Sequence, residues 1–412
     1  MRERIGYYDV ARGLGIIFVV IGHIDTFYMP FRQYVISFHM ALFLIVSGML
    51  MLETGEAERF YWRTAGKKFC RIMIPYFLFS FLSIGIEVVR IWSNDSFNIP
   101  HLRSLLITTL TMQGISVMWF LPTLFLSELI FLAVRKLVAR VFRGSSSKNR
   151  TSDRQAKCRS DREVQTSAWE CVLEETEENC RCGRLADVVT MMLVLTLTIL
   201  AVWWNFQEQL FYAGRGEAEI YERAHEVLLW LIRSVFSTMF VSIGYFVRKY
   251  IVSRKLPSYL YGLIAIVLLA VSVYMCRINP GVDLRTLDWG ETEVWVWNFY
   301  FTIFVKAGMY LLGAVTGALG ILFLCKASDR YSGHLSLKLL AFLGANSLII
   351  MATHLDFHVL HLGVELANII NRWAASSHVY HVCLLVFVFA GEAVLIRLIN
   401  RYAPFLTGKL KK

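Results

Sequence analysis

Residues 7–29 read YYDVARGLGIIFVVIGHIDTFYM: an acid and a base near the start, then an apolar run that encloses a histidine. A bilayer core about 30 Å thick takes about 20 apolar residues in helix, so the stretch predicts a membrane span at roughly 11–29. Arg2, Arg4 and Arg12 precede the run and no small-residue cleavage site ends it, so a retained first span is expected. Nine further segments pass the same length test, at roughly 33–52, 70–91, 117–138, 187–205, 226–247, 257–276, 298–325, 338–360 and 379–400.

Composition points the same way. Of 412 residues, 56% are hydrophobic and only 18% charged, against about a quarter charged in soluble domains, and the mean hydropathy is +0.52. The net charge of +11 does not indicate nucleic acid, because the basic residues sit in short clusters between apolar runs rather than in one patch. If the N-terminus faces the cytoplasm, alternate inter-span segments place 32 of the 42 lysines and arginines inside and 8 outside, with Arg233 and Lys306 inside spans. Positive charge collects on the cytoplasmic side, and this asymmetry needs every one of the ten spans. The predicted fold class is an all-α integral membrane protein with ten transmembrane helices. It forms one multi-pass domain over 1–412 in the cell membrane, with both termini cytoplasmic.

One interruption stands out, at about 143–185, which is polar, mixed in charge and poor in aromatics. A flexible cytoplasmic loop is expected there, with Cys158, Cys171, Cys180 and Cys182 kept reduced. Cys180 and Cys182 lack the two-to-four-residue gap of a zinc site. A shorter apolar stretch from His101 to Met112 reads as an interfacial or re-entrant helix.

Within the first span Arg12 and His23 are eleven residues apart, about three turns plus 20°, which puts them on one face about 16 Å from each other. Asp9 joins the stripe three residues before Arg12, within ion-pair reach. A histidine at that depth faces a bundle interior or a wet cavity, where it is either a general base or a structural hydrogen-bonding group. His39, in the second span, is expected at a similar depth. Before the third span Arg63, Lys67 and Arg71 recur every fourth residue with Lys68 adjacent, a basic strip suited to an anionic donor or to setting topology.

The combination Asp9-Val10-Ala11-Arg12-Gly13 through Gly22-His23, followed by Ser37-Phe38-His39-Met40-Ala41-Leu42-Phe43 and Ser47-Gly48, resembles the opening signature of the acyltransferase family 3 membrane proteins. Ile74-Pro75-Tyr76, Trp119-Phe120-Leu121-Pro122, Gly344-Ala345-Asn346-Ser347 and His354 extend the resemblance over the chain outside 143–185. The resemblance implies ten helices and an acyl-CoA co-substrate, commonly acetyl-CoA, taken from the cytoplasm, with no permanently bound cofactor. It also implies transfer of the acyl group to a hydroxyl, here expected on a cell-envelope glycan or lipid-linked sugar. Carried onto this chain, His23 is the catalytic base with Arg12 as partner, and Lys67, Lys68 and Arg71 hold the donor. Asp9, His39, Trp119, Asn346 and His354 support the site. Two departures stand out: Lys67 replaces a usual arginine, and Ala41 replaces a proline.

A different use of the chain stays open at this level. His354, His358 and His361 fall at helical spacing with Glu365, a weak metal-site candidate, and ten helices with buried charges also suit a transporter of a small solute or metal ion. The expected partners are acyl-CoA, the sugar acceptor and membrane lipids, and no nucleic acid. The topology has a direct check. A reporter active only outside the cytoplasm, fused after residue 58, should be silent, and fused after residue 98 it should be active; the reverse pattern would overturn the orientation.

Overall fold

The computed structural model describes residues 6–93, 98–157, 167–212, 219–254, 256–288, 296–374 and 376–408. All regular structure among them is helical: α1 (Gly6–Gly22), α2 (Met29–Glu53), α3 (Tyr61–Lys68), which passes through a π turn (Phe69–Met73) into α4 (Ile74–Ser93), α5 (Ile99–Leu110), α6 (Phe120–Lys157), α7 (Ser167–Tyr212), α8 (Glu219–Val247) with a second π turn at Arg248–Val252, α9 (Ser258–Ile278), α10 (Val296–Ala327), α11 (Leu335–Ala345), α12 (Ser347–Thr353), α13 (Val359–Ala374) and α14 (Ser377–Tyr402). Among the described residues eight helical stretches are long and apolar enough to cross a membrane, and the bent pair α11–α12 would make a ninth. The protein is a multi-pass membrane protein. Helix α1, at 17 residues with Asp9 and Arg12 in it, is shorter than any of those eight stretches.

Three expected boundaries move, each for a visible reason. The first helix stops at Gly22 rather than near residue 29, because Arg32 turns back to donate from Nε to the Gly22 carbonyl at 2.8 Å and pairs with Asp25 at 2.7 Å. A cation on a helix's last carbonyls satisfies groups that have no partner within the helix. Pro30 then sits in the first turn of α2, where its fixed φ suits a helix start. The ninth expected span, 338–360, is not one helix. It bends by 65° between α11 and α12 at Asn346, whose side chain donates to Phe342 O (2.8 Å) and accepts from Asn400 (3.0 Å). Such local side-chain bonds compete with the helical ladder. The chain then turns again at 354–358, where His358 takes a left-handed φ of 57°, before the unexpected α13. Of the expected loop at 143–185, residues 143–157 and 167–185 have helical backbone, and 158–166 lie outside the described residues, as do the side chains of all four of its cysteines. The helix expected near 101–112 is present as α5.

Helices α1, α2, α8 and α10 form the centre, with α6 and α7 against α8 and α9 against α10. Two crossings leave no room for side chains. A Cβ on Gly48 of α2 would run into the Val241 carbonyl of α8, and one on Gly244 into the Ile45 carbonyl, so the two glycines serve the same crossing from both sides. Likewise Gly13 of α1 faces the Leu340 carbonyl of α11, and Gly344 faces that of Asp9. Lipid supplies no hydrophobic drive between helices, so association relies on close backbone approach of this kind.

Gly48→Leu and Gly244→Leu should each abolish a monodisperse peak in detergent size-exclusion chromatography, since overpacking alone costs about 1–3 kcal/mol and here the obstacle is backbone. Gly66→Ala, with nothing within 4 Å of the added atom, should elute as wild type.

Candidate active site

Helix α1 carries the first half of the site. Arg12 pairs with buried Asp9 at 3.1 Å and faces a cavity of about 250 Å³ together with Arg71, Ser47 and Ser347. Arg71 reaches it from the π turn between α3 and α4, a kind of bulge often found at functional sites. The basic strip read from the sequence therefore divides. Arg63 and Lys67 are exposed and do not line this cavity.

Lys68, expected in the donor-binding set, does not line this cavity either. It is buried between two carboxylates, Glu56 at 2.7 Å and Glu128 at 2.8 Å, and Ser47 also donates to Glu128. The ammonium is used up in tying α3 to α6 and to the turn after α2. Glu128 is thus held from two sides, by Lys68 and by Ser47. Glu392 accepts instead from Thr353 at 2.7 Å, and Glu87 holds Arg90 and His101.

The second half is a chamber of about 230 Å³ lined by His23, His39, Arg32, Trp119, Arg285 and Met351 among others. His23 is the first residue past α1. Its Nδ1 lies 2.8 Å from Val19 O. His39 repeats the bond to Val35 O at 2.7 Å, and His354 to Ile350 O at 2.8 Å. A carbonyl oxygen only accepts, so in each neutral ring Nδ1 carries the proton and Nε2 keeps its lone pair. The chain thus fixes three imidazoles in the tautomer that can take a proton from a hydroxyl.

The sequence places His23 beside His39, and both line the chamber. The ring in contact with His23 is that of fully buried His354, with centroids 5.2 Å apart in an edge-to-face arrangement. His354 gets there because α12 starts beside α1 and ends in the turn below the chamber. That same turn breaks the histidine stripe. His358, His361 and Glu365 are exposed while His354 is buried, and among the described residues no group of three or more His, Cys, Asp or Glu is placed to hold a metal ion. His381 secures the turn after α1 by bonding to Thr26 O at 2.9 Å.

Arg12 and His23 do not share one cavity, as their common stripe would suggest. Met351, 6% exposed, lines both spaces and lies between them. Trp119 and Arg285 in turn line both the histidine chamber and a third cavity of about 500 Å³ that holds Arg233 and Trp230. Asn346 contributes the bend that brings Ser347 and Met351 to α1 and touches neither cavity itself. Sequence reasoning missed Met351 and Arg285 altogether. Neither bears a signal by spacing, since a methionine in an apolar helix and an arginine in a loop between helices are ordinary.

Residues 5–147 match a family described as acyltransferase domain, acyltransferase family 3. The resemblance carried by Asp9 to Gly13, His23, the stretch from Ser37 to Phe43, Ile74 to Tyr76 and Trp119 to Pro122 is thereby borne out, and Gly344 to Ser347 and His354 fall beyond the match. No curated protein and no solved structure matches the chain.

The two adjacent lysines should separate cleanly. Lys68→Met leaves two carboxylates together in a buried site, a change of about 3–5 kcal/mol for breaking a buried pair, and should sharply lower the yield and melting temperature of the purified protein. Lys67→Met should leave both within error of wild type.

Proposed function

Starting from an acyltransferase domain in residues 5–147, we propose that the protein transfers an acyl group, acetyl in the first instance, from cytoplasmic acyl-CoA to a hydroxyl on a cell-envelope glycan or lipid-linked sugar. In this reading the chain crosses the cell membrane ten times, counting α1 and the bent pair α11–α12, with both ends in the cytoplasm. The observation that carries it is the arrangement along α1: a guanidinium-lined cavity at one level, an imidazole-lined chamber at the next, and one methionine side chain between them.

The chemistry follows from those positions. Arg12 and Arg71 take the anionic part of the donor, because guanidinium forks match phosphate oxygens. The acyl thioester reaches past Met351, whose unbranched, polarizable side chain moves aside at small expense. In the chamber, Nε2 of His23 removes the proton of the acceptor hydroxyl while its oxygen attacks the thioester carbonyl carbon. The C–S bond then breaks, the ester is released, and the thiolate takes the proton back from the imidazolium. His39 lines the chamber with His23, and His354 packs edge-to-face against the His23 ring from behind it. No resident cofactor enters any step.

His23→Ala, once shown to elute like wild type, should lower acyl transfer in proteoliposomes by about 10²–10⁴-fold, the usual contribution of a general base. Arg12→Ala should chiefly raise the KM for acyl-CoA. Comparing the masses of envelope glycans and lipids with and without the gene should reveal a difference of one acyl group. Solute uptake without any acyl-CoA turnover would point to a transporter instead.

A further inference from the structure

The largest of the three cavities, about 500 Å³, opens beside the histidine chamber and shares Trp119 and Arg285 with it. Its polar lining is unbalanced in a specific way. Arg233, on α8, is 6% exposed; among the described residues its guanidinium makes no hydrogen bond or ion pair, only a cation–π contact over Trp119 with Cζ 4.8 Å from the ring centroid. Among the described residues, buried Nε2 of Gln113 and buried Nε1 of Trp230, in the same lining, are also without hydrogen-bond partners. All three are donors, and two of them can only donate. Carboxylates are nearby and do not answer them: Glu226 lines the cavity from an exposed position and forms no ion pair with Arg233 among the described residues, while Glu208 is held by His225 at 2.6 Å. Arg285, exposed at the edge between this cavity and the chamber, is likewise in no ion pair among the described residues.

A buried cation is rarely left unpaired, because its lost hydration must be replaced by a counter-charge or by acceptors. Here the missing partner has the size of a cavity. We propose that this space is the binding site for an oxyanion group on the acceptor, a carboxylate or a phosphate, gripped by Arg233 with help from Gln113 and Trp230 and admitted past Arg285. This rests on the acyl-transfer reading only in calling the ligand the acceptor. The shared chemistry, a multi-oxygen anion on a sugar-sized body, arises either from a uronic acid or from a phosphate-linked sugar. Trp119 forms the wall through which the sugar ring continues toward His23, and it offers that ring an apolar face.

The test is calorimetric titration of the full chain in detergent micelles at constant ionic strength, with sodium glucuronate, sodium phosphate and glucose as probes. Saturable binding of glucuronate or phosphate is expected, with glucose at least tenfold weaker, and whichever anion binds identifies the source. Arg233→Gln should weaken that anion at least tenfold. Trp230→Phe, which removes one donor without altering charge, should weaken it severalfold and keeps the test usable if Arg233→Gln does not fold. Gly66→Ala, with open space around the added atom, should bind the anion as wild type does. Glucose bound as tightly as the anions, binding of neither anion, or affinity untouched by both substitutions overturns the proposal. Anion binding without acyl transfer would leave this site standing and remove the enzyme reading, and acyl transfer without anion binding would do the opposite.

Discussion

Everything in the site depends on how closely α1 and α11 approach. Where Gly13 meets the Leu340 carbonyl and Gly344 meets that of Asp9, the two backbones touch with no side chain between them. The bend at Asn346 follows immediately, so α12 leaves that contact already beside α1 and delivers Ser347, Met351 and His354 in turn along it. A single Cβ at either glycine would push α11 away, and Met351 and His354 would no longer reach their places. The matching crossing of Gly48 and Gly244 fixes α8, and with it Arg233, against the other side of α2.

Buried charge is handled by two different arrangements. On the side of α3 and of the π turn after α8, cations and carboxylates neutralise one another. Lys68 holds Glu56 and Glu128, Arg135 and Lys249 converge on Asp187, and Arg248 holds Glu53. These pairs fasten helices together, and removing one partner would leave the other stranded in low dielectric. On the side of the three cavities, charges are left facing space: Arg71, Arg285 and Arg233 form no ion pair among the described residues. The contrast marks Arg71, Arg285 and Arg233 as charges that do not fasten helices, whereas Arg12 and Arg32 line a cavity and also pair with Asp9 and Asp25.

Much of the fold was legible, and for physical reasons. Runs of about 20 apolar residues have few alternatives to helix in a bilayer, so each of the ten expected segments does contain helix. The ends were less legible, because they are decided by contacts remote in sequence. Arg32 stops α1 by reaching back ten residues, and Asn400 holds the bend at Asn346 from the last helix. The site was legible where chemistry lies on one helix, as with Asp9, Arg12 and His23. It was not legible where the same residue type can serve opposite ends. Lys67, Lys68 and Arg71 read as one strip, yet Lys68 turns inward to two glutamates and the π turn carries Arg71 to Arg12. His354, His358 and His361 read as one stripe until a left-handed residue divides them.

The thioether of Met351 has one more consequence. Water-filled spaces that enter a membrane protein at different depths would, if they merged, let ions short-circuit the gradient on which the cell runs. In the proposed reading the Met351 side chain, which lines both spaces, is a seal thin enough for an acyl chain to displace and greasy enough to refuse a hydrated cation. A polar residue there would trade that insulation for a leak, so the position is guarded by the energetics of the whole cell as much as by those of the reaction.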